Sequence, residues 1–196
     1  MMIVLYLLGC VTLTGVYASP NGAPITACVN MHPNHGIGPQ NSTSPFQVHS
    51  TLTKYKPNQR ITVQLRGPRQ FRGVLLQARV QSGNPTTPVG TFHMDGQPAR
   101  DLKTLTCTAR DDAVTHSNRN LKGNIEVVWT APNRNFGNIQ FVATFVESKT
   151  RYWMNVKSAP VSGSMETVIL SLPLLLVTAL SSVLYTRCHM PAHAPQ

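Results

Sequence analysis

The stretch at residues 71–80, FRGVLLQARV, constrains the fold of this chain more than any other. Its side chains alternate between two faces, with one set at Val74, Leu76, Ala78 and Val80 and the other at Leu75, Gln77 and Arg79. This period of two is typical of a β-strand that is buried on at least one face. Because a lone strand is not stable in water, the rest of the chain must supply partners that pack on it.

Similar short alternating runs recur along the chain and predict further strands. They lie at residues 46–52, 61–65, 89–93, 102–108, 113–117, 125–129, 139–146 and 152–156. Turn residues separate them about every eight to twelve positions, and no segment has the period of an amphipathic helix. Eight or nine such strands predict an all-β fold, an antiparallel β-sandwich of immunoglobulin-like size, with Trp129 and Phe141 in its core. A chain of 196 residues has room for one such domain.

Both ends of the chain have the composition of targeting segments. Residues 1–18 predict a signal peptide cleaved after Ala18, so that the sandwich domain would occupy residues 19–159. Residues 168–185 contain no charge and are just long enough to span a bilayer as a helix, after a linker at 160–167 and before a cytoplasmic tail at 186–196. A lipid-anchor signal is the alternative, because small residues at 162–164 precede the apolar run. Either reading predicts a cell-surface protein with an extracellular domain.

The extracellular part would keep two of the four cysteines. Cys10 leaves with the signal peptide, and Cys188 lies on the cytoplasmic side of the apolar segment. Cys28 and Cys107 are therefore expected to pair in an oxidising compartment. On the chain-entropy model, closing a loop of this length stabilises the fold by roughly 4–5 kcal/mol. A sequon that begins at Asn41 predicts one N-linked glycan.

The charge balance predicts an anionic partner. Lys and Arg outnumber Asp and Glu by 17 to 7, a formal net charge of +10, which favours phospholipid headgroups, sulfated glycans or microbial envelope polymers. If two neighbouring turns emerged at one end of the sandwich, their cations would form a basic rim for phosphate or sulfate. These cations are Lys54, Lys56, Arg60, Arg66, Arg69 and Arg72. Separate surface charges are the alternative, and nucleic acid is not expected because exposed aromatic residues do not alternate with the cations.

The sequence offers little for catalysis. It has no nucleophile elbow and no phosphate-binding glycine loop, so neither an enzyme nor a cofactor is predicted. The aspartates on predicted loops are expected to balance the basic surface: Asp95, Asp101, Asp111 and Asp112. His32 and His35 could ligate copper or zinc if another histidine came close. Pro33 lies between them and prevents helical presentation, so a structural role is favoured.

Several segments, in order along the chain, resemble the reeler (reelin amino-terminal) domain family. They are residues 27–33, 71–79, 90–92, 105–107, 115–116, 128–132 and 141–146, and the resemblance covers about residues 23–156. It implies an immunoglobulin-like β-sandwich with a disulfide that falls on Cys28 and Cys107. The family includes matrix proteins of the reelin and spondin type, insect defence proteins and ferric-chelate reductases.

The resemblance leads to one expected function and two alternatives. Ferric reductases of this family move electrons through haems held by histidines on several membrane helices, whereas residues 168–185 contain no histidine. Intrinsic reductase activity is therefore not expected. The expected function is non-enzymatic binding of an anionic microbial ligand in host defence. An accessory role in ferric-chelate reduction and a matrix- or heparin-binding adhesion module are the alternatives.

Overall fold

The computed structural model describes residues 19–82, 84–95 and 100–164. The elements are the one-turn helix α1 (Ala27–Asn30) and the strands β1 (Gln47–Ser50), β2 (Lys54–Tyr55), β3 (Arg60–Arg66), β4 (Gly73–Val80), β5 (Thr91–His93), β6 (Leu102–Leu105), β7 (Ala113–His116), β8 (Ile125–Thr130), β9 (Ile139–Ser148), β10 (Arg151–Lys157) and β11 (Ser162–Gly163). Within these ranges nine strands form two antiparallel sheets, in the orders β1-β3-β8-β5 and β10-β9-β4-β7-β6. The predicted antiparallel β-sandwich is confirmed.

The strand predicted from residues 71–80 is β4, which begins at Gly73 and lies between β9 and β7 in the five-stranded sheet. Val74, Leu76 and Ala78 face the sandwich core. On the opposite face, Leu75 and Gln77 are also buried. Both faces of β4 are therefore buried over most of its length. The residues that bury the face of Leu75 and Gln77 must come from outside the two sheets.

The core between the sheets is rich in aromatic side chains, as predicted for Trp129 and Phe141. Both are fully buried, and their rings meet edge to face with centroids 5.2 Å apart. The Trp129 indole N–H donates a hydrogen bond of 2.9 Å to the carbonyl of Val89. The neighbouring Gly90 has φ +73°, and a Cβ there would lie 2.4 Å from the indole ring. Only glycine fits this position without displacing Trp129.

The outer face of the five-stranded sheet is covered by residues 19–40, here called the N-terminal segment. No helix was predicted for this segment, so the one-turn helix α1 within it is a finding of the structure. Met31 ends α1 in the left-handed conformation, with φ 61°, and its N–H donates to the carbonyl of Ala27. Ala27 and Met31 pack on Leu75 and Ala113 as a second hydrophobic cluster.

A disulfide between Cys28 and Cys107 attaches the N-terminal segment to the sheet, in agreement with the pairing expected from the sequence. The two cysteines are 79 positions apart. The bond therefore links the first part of the domain to its middle and closes a long loop.

The predicted signal peptide, membrane-spanning segment and cytoplasmic tail lie outside the described residues. Among the residues described, no helix has the length and hydrophobicity needed to cross a bilayer. Part of the expected linker belongs to the fold, since Ser162 and Gly163 form β11 and pair in parallel with β2.

We expect Gly90→Ala to lower the free energy of unfolding by roughly 2–4 kcal/mol, because it combines an unfavourable φ with a clash against Trp129. Urea denaturation followed by tryptophan fluorescence measures the loss. Gly123→Ala is the matched control, because an added Cβ at Gly123 would meet no atom within 4 Å. Equal effects of the two substitutions would contradict this account of Gly90.

Candidate functional site

A cavity of about 330 Å³ lies between the N-terminal segment and the outer face of the five-stranded sheet. Sites for small molecules in proteins range over roughly 300–1,000 Å³. The segment contributes Ser19, Gly22, Ala23, Pro24, Ala27, Met31, His32, Pro33 and His35. The sheet and its adjoining loops contribute Arg72, Gly73, Val74, Leu75, His116, Arg119, Thr144, Val146, Ser148 and Lys149.

Small residues leave this space open. Gly73 has no side chain to project from β4, and a Cβ there would lie 3.2 Å from that of Val146. On the opposite wall, the small side chains of Ala23 and Ala27 also occupy little of the space. Gly22, with φ +114°, brings the segment so close to β7 that a Cβ would lie 2.9 Å from the carbonyl oxygen of His116. The segment thus touches the sheet at β7 and leaves a gap over the start of β4.

Hydrogen bonds fix the segment around the cavity. The Thr144 hydroxyl donates to the carbonyl of Met31 over 2.8 Å, and the Ala23 amide donates to the Thr115 hydroxyl over 2.8 Å. Nδ1 of His35 donates to the carbonyl of Lys149 over 3.0 Å. In the described part of the chain, every buried side-chain nitrogen and oxygen has a hydrogen-bond partner. Most of the surface that lines the cavity is apolar.

Two polar residues on the outer face of β4 hold α1. Nε2 of Gln77 donates to the carbonyl of Cys28 over 3.1 Å. The Arg79 guanidinium donates to the carbonyls of Cys28 and Val29 over 2.7 and 3.0 Å, and Nε donates to Oε1 of Gln77 over 2.8 Å. Burial lowers the pKa of Arg79. Carbonyl groups at the end of α1, which have no partner within the helix, thus receive donors from the sheet.

Three of the residues that line the cavity are exposed cations, and exposed lining residues lie where a cavity meets solvent. They are Arg72, Arg119 and Lys149, here called the cationic mouth. No carboxylate is among the described residues that line the cavity. Glu147 is adjacent in sequence, but its carboxylate pairs with Arg69 at 3.6 Å and Arg151 at 3.4 Å. The positive charge of the mouth is therefore not neutralised by an acidic residue in the lining.

Lys122 fixes the loop that carries Arg119. Although it is only 2% exposed, its Nζ donates to the carbonyls of Arg72, Asn118 and Asn120 over 2.7–3.1 Å and to Oδ1 of Asn118 over 3.1 Å. Burial lowers the pKa of Lys122. Arg72 also donates to the carbonyl of Arg119, over 3.1 Å. Nothing in the sequence around Lys122 separates this lysine from the exposed cations.

The six cations of the predicted basic rim do not come together. Lys54, Lys56 and Arg60 lie at or before the start of β3, whereas Arg66, Arg69 and Arg72 lie at or after its end. The seven residues of β3 separate these groups by roughly 20 Å. Of the six, only Arg72 lines the cavity. The condition for a basic rim, that both turns emerge at one end of the sandwich, is therefore not met. Anion binding by the other five cations stays a prediction.

The two histidines considered as metal ligands, His32 and His35, make other contacts. Nδ1 of His32 accepts from the Asn34 amide over 2.9 Å, and its Nε2 lies 3.3 Å from the hydroxyl of Tyr152. The rings of His32 and His35 both meet Tyr152 edge-on. Over the residues that the structure describes, no group of three or more His, Cys, Asp and Glu side chains could hold a metal ion.

Two other predicted positions have different surroundings. Asn41 is exposed, and its glycosylation stays a prediction.

Asp112 was expected on the surface and is instead fully buried. Its carboxylate accepts from the amides of Cys107, Thr108 and Ala109 over 2.7–2.8 Å, which fixes the loop that carries the disulfide. The signal in the sequence was the short Thr-x-x-x-Asp spacing of a loop closed by its own carboxylate.

His116 lies in the cavity wall, where both of its ring nitrogens contact the backbone. Its Nε2 lies 3.2 Å from the carbonyl oxygen of Ser19. Its Nδ1 lies 3.3 Å from both the amide nitrogen and the carbonyl oxygen of Val74. Burial lowers the pKa of both His116 and His35 below the ordinary histidine value.

We expect acid to destabilise the fold through His116. Because its pKa is lower in the folded protein, the unfolded chain binds more protons, so stability is full above about pH 6.5 and falls below it. One such group changes the free energy of unfolding by at most about 1.4 kcal/mol per pH unit. Urea denaturation between neutral and mildly acidic pH should show a shallower slope for His116→Gln than for the unmodified protein. Identical slopes would exclude this role.

We expect Lys122→Met to cost roughly 2–4 kcal/mol of stability, since it leaves buried carbonyl oxygens without their donor. Thermal and urea denaturation give the measurement. Lys103→Met makes the same chemical change at an exposed position on β6 and should cost no more than about 0.5 kcal/mol. A loss at Lys122 as small as that at Lys103 would show that the buried ammonium does not support the loop.

Comparison with known proteins agrees with the fold described above. The chain is 36% identical over 162 residues to "Ferric-chelate reductase 1" of Mus musculus, an alignment that covers 82% of this chain and 26% of the relative. It is 35% identical over 153 residues to "Putative defense protein 3" of Antheraea mylitta, covering 76% of this chain and 88% of the relative. The chain thus spans about a quarter of the reductase and most of the defence protein.

The fold also matches a solved structure. The crystal structure of the human F-spondin reeler domain superposes with a TM-score of 0.56 at 21% identity, over 70% of this chain and 99% of that domain. The sequence model of the Reeler domain family matches residues 26–168, which include every strand of the sandwich and both cysteines of the disulfide. This protein belongs to the reeler domain family.

Proposed function

We propose that this protein is a non-enzymatic extracellular binding protein of host defence, which recognises an anionic ligand through the cavity under its N-terminal segment. The observation that carries the proposal is the cationic mouth, in which Arg72, Arg119 and Lys149 surround a preformed opening and no described lining residue is acidic. Cations in such an arrangement attract phosphate or sulfate groups and bind them by charge-assisted hydrogen bonds.

The relatives support the biological setting of the proposal. "Putative defense protein 3" of Antheraea mylitta has 88% of its length covered by this chain, so the two share nearly the whole of that protein. The predicted signal peptide and Asn41 sequon, and the disulfide between Cys28 and Cys107, all suit the cell surface. Either a spanning helix or a lipid anchor at the predicted apolar segment would hold the domain there.

An accessory role in ferric-chelate reduction is the second candidate, supported by similarity to proteins that carry that name. The alignment covers only about a quarter of those proteins, so their activity is attributable to this chain only as a hypothesis. Measuring expression of this protein separates the two candidate functions. A role in defence predicts that bacterial challenge raises its expression, whereas a role in ferric-chelate reduction predicts that iron regulates its expression.

Binding of lipopolysaccharide tests the primary proposal, and heparin in parallel tests the matrix-binding alternative. The fragment 19–164 is used, because it contains all the described strands, both hydrophobic clusters and the disulfide, and because the F-spondin reeler domain forms this fold in isolation. We expect binding that weakens with added salt and falls at least tenfold, by roughly 1.4 kcal/mol or more, when Arg72, Arg119 and Lys149 are all changed to Glu.

A matched triple variant controls for the change in net charge. Arg110, Arg134 and Lys157 are exposed and lie outside the cavity lining, so changing all three to Glu removes the same charge elsewhere. We expect this variant to keep its affinity within about twofold. Equal losses of affinity in the two triple variants would show that binding depends on the net charge of the domain and not on the cationic mouth. If neither lipopolysaccharide nor heparin binds, the proposal is refuted.

A further inference from the structure

The cavity has two chemically different parts, and the proposed function uses only one of them. Its mouth is cationic, but its interior is formed by aliphatic and small side chains, among them Ala27, Met31, Leu75 and Val146. A small polar anion would bind at the mouth and leave the interior empty. The interior therefore points to an additional property of the ligand.

Several polar groups around the interior already have hydrogen-bond partners. The Thr144 hydroxyl is bonded to Met31, and the imidazoles of His35 and His116 are bonded to backbone groups. Most of the surface that lines the cavity is apolar. A polar group entering the interior would lose its hydrogen bonds to water with little replacement, which is unfavourable. An apolar group would lose nothing and would fill the space.

We propose that the cavity binds a single-chain anionic amphiphile, with its acyl chain in the interior and its charged head at the cationic mouth. This inference rests on the proposed function and specifies the ligand class for the same site. Charge complementarity fixes the orientation, because the lining cations are exposed to solvent whereas Ala27, Met31 and Leu75 are buried. The chemistry excludes a cationic amphiphile, whose head would be repelled there. A volume of about 330 Å³ lies at the small end of the range for ligand sites, which suits a single acyl chain.

The wall architecture supports a chain-shaped ligand. The N-terminal segment is tied down by the disulfide and by Arg79 at one end of β4, whereas the cavity lies over the other end at Gly73. Met31 supplies a flexible, unbranched side chain that can adjust to a chain in the cavity. The ligand thus enters a preformed space, and little ordering free energy opposes its binding.

The experiment titrates fragment 19–164 with inorganic phosphate and with butyl, hexyl, octyl and decyl phosphate below their micellar concentrations. Each methylene that enters the interior should tighten binding by roughly fourfold, until the cavity is filled and the affinity reaches a plateau. Octanol and octyltrimethylammonium, which share the chain but not the anionic head, should bind much more weakly than octyl phosphate.

Variants that fill the interior provide the second readout. Val146→Phe should abolish the dependence on chain length while leaving the weak binding of phosphate at the mouth. Val128→Phe makes the same change at a half-buried position on β8, away from the cavity, and should leave the dependence intact. If Val146→Phe does not fold, Ala23→Leu fills the cavity from the opposite wall and is read in the same way.

The outcomes distinguish the two proposals. Anion binding that depends on the cationic mouth but not on chain length would overturn the acyl-chain inference and leave the proposed function standing. Absence of binding by every anion would overturn both. Octanol binding as tightly as octyl phosphate would overturn the assignment of the mouth to an anionic head. Displacement of octyl phosphate by lysophosphatidic acid or by lipopolysaccharide would then identify a host or a microbial source.

Discussion

Attachment of the N-terminal segment to the outer face of β4 is the constraint on which the rest of the structure depends. Gln77 and Arg79 point to that face, where they would be polar groups on a buried surface without partners. The end of α1 supplies the carbonyls of Cys28 and Val29, which are themselves without partners in so short a helix. Each set satisfies the other, and the disulfide at Cys28 holds them in register.

The same attachment creates the cavity. The segment is fixed at the far end of β4 by Arg79 and the disulfide, and at its sides by bonds to Thr115 and Thr144. Over the start of β4, Gly73 offers no side chain to fill the space beneath it. Because the N-terminal segment is attached at its edges and lies over a glycine, a cavity remains beneath it. The cavity is mainly apolar, since polar side chains in its walls, such as those of Thr115 and Thr144, bind the segment itself.

The sandwich could be predicted from the sequence, but the site could not. Alternation located β4, β8 and β9 and the buried pair of Trp129 and Phe141, because a period of two is a local property of the chain. Lys122, which contacts Arg72 across 50 positions, has no local signature that separates it from an exposed lysine. The separation of the basic rim into two groups could have been predicted, since the strand predicted at residues 61–65 lies between the two turns and must place them at opposite ends.

Arg72 connects the fold with the proposed site. Its carbonyl accepts from buried Lys122, its guanidinium donates to the carbonyl of Arg119, and it directly precedes the glycine over which the cavity opens. The position of the cations at the mouth is therefore set by backbone contacts of the folded domain. A charge held in this way is already in place when a ligand arrives, and the conformational entropy of ordering it has been lost during folding rather than during binding.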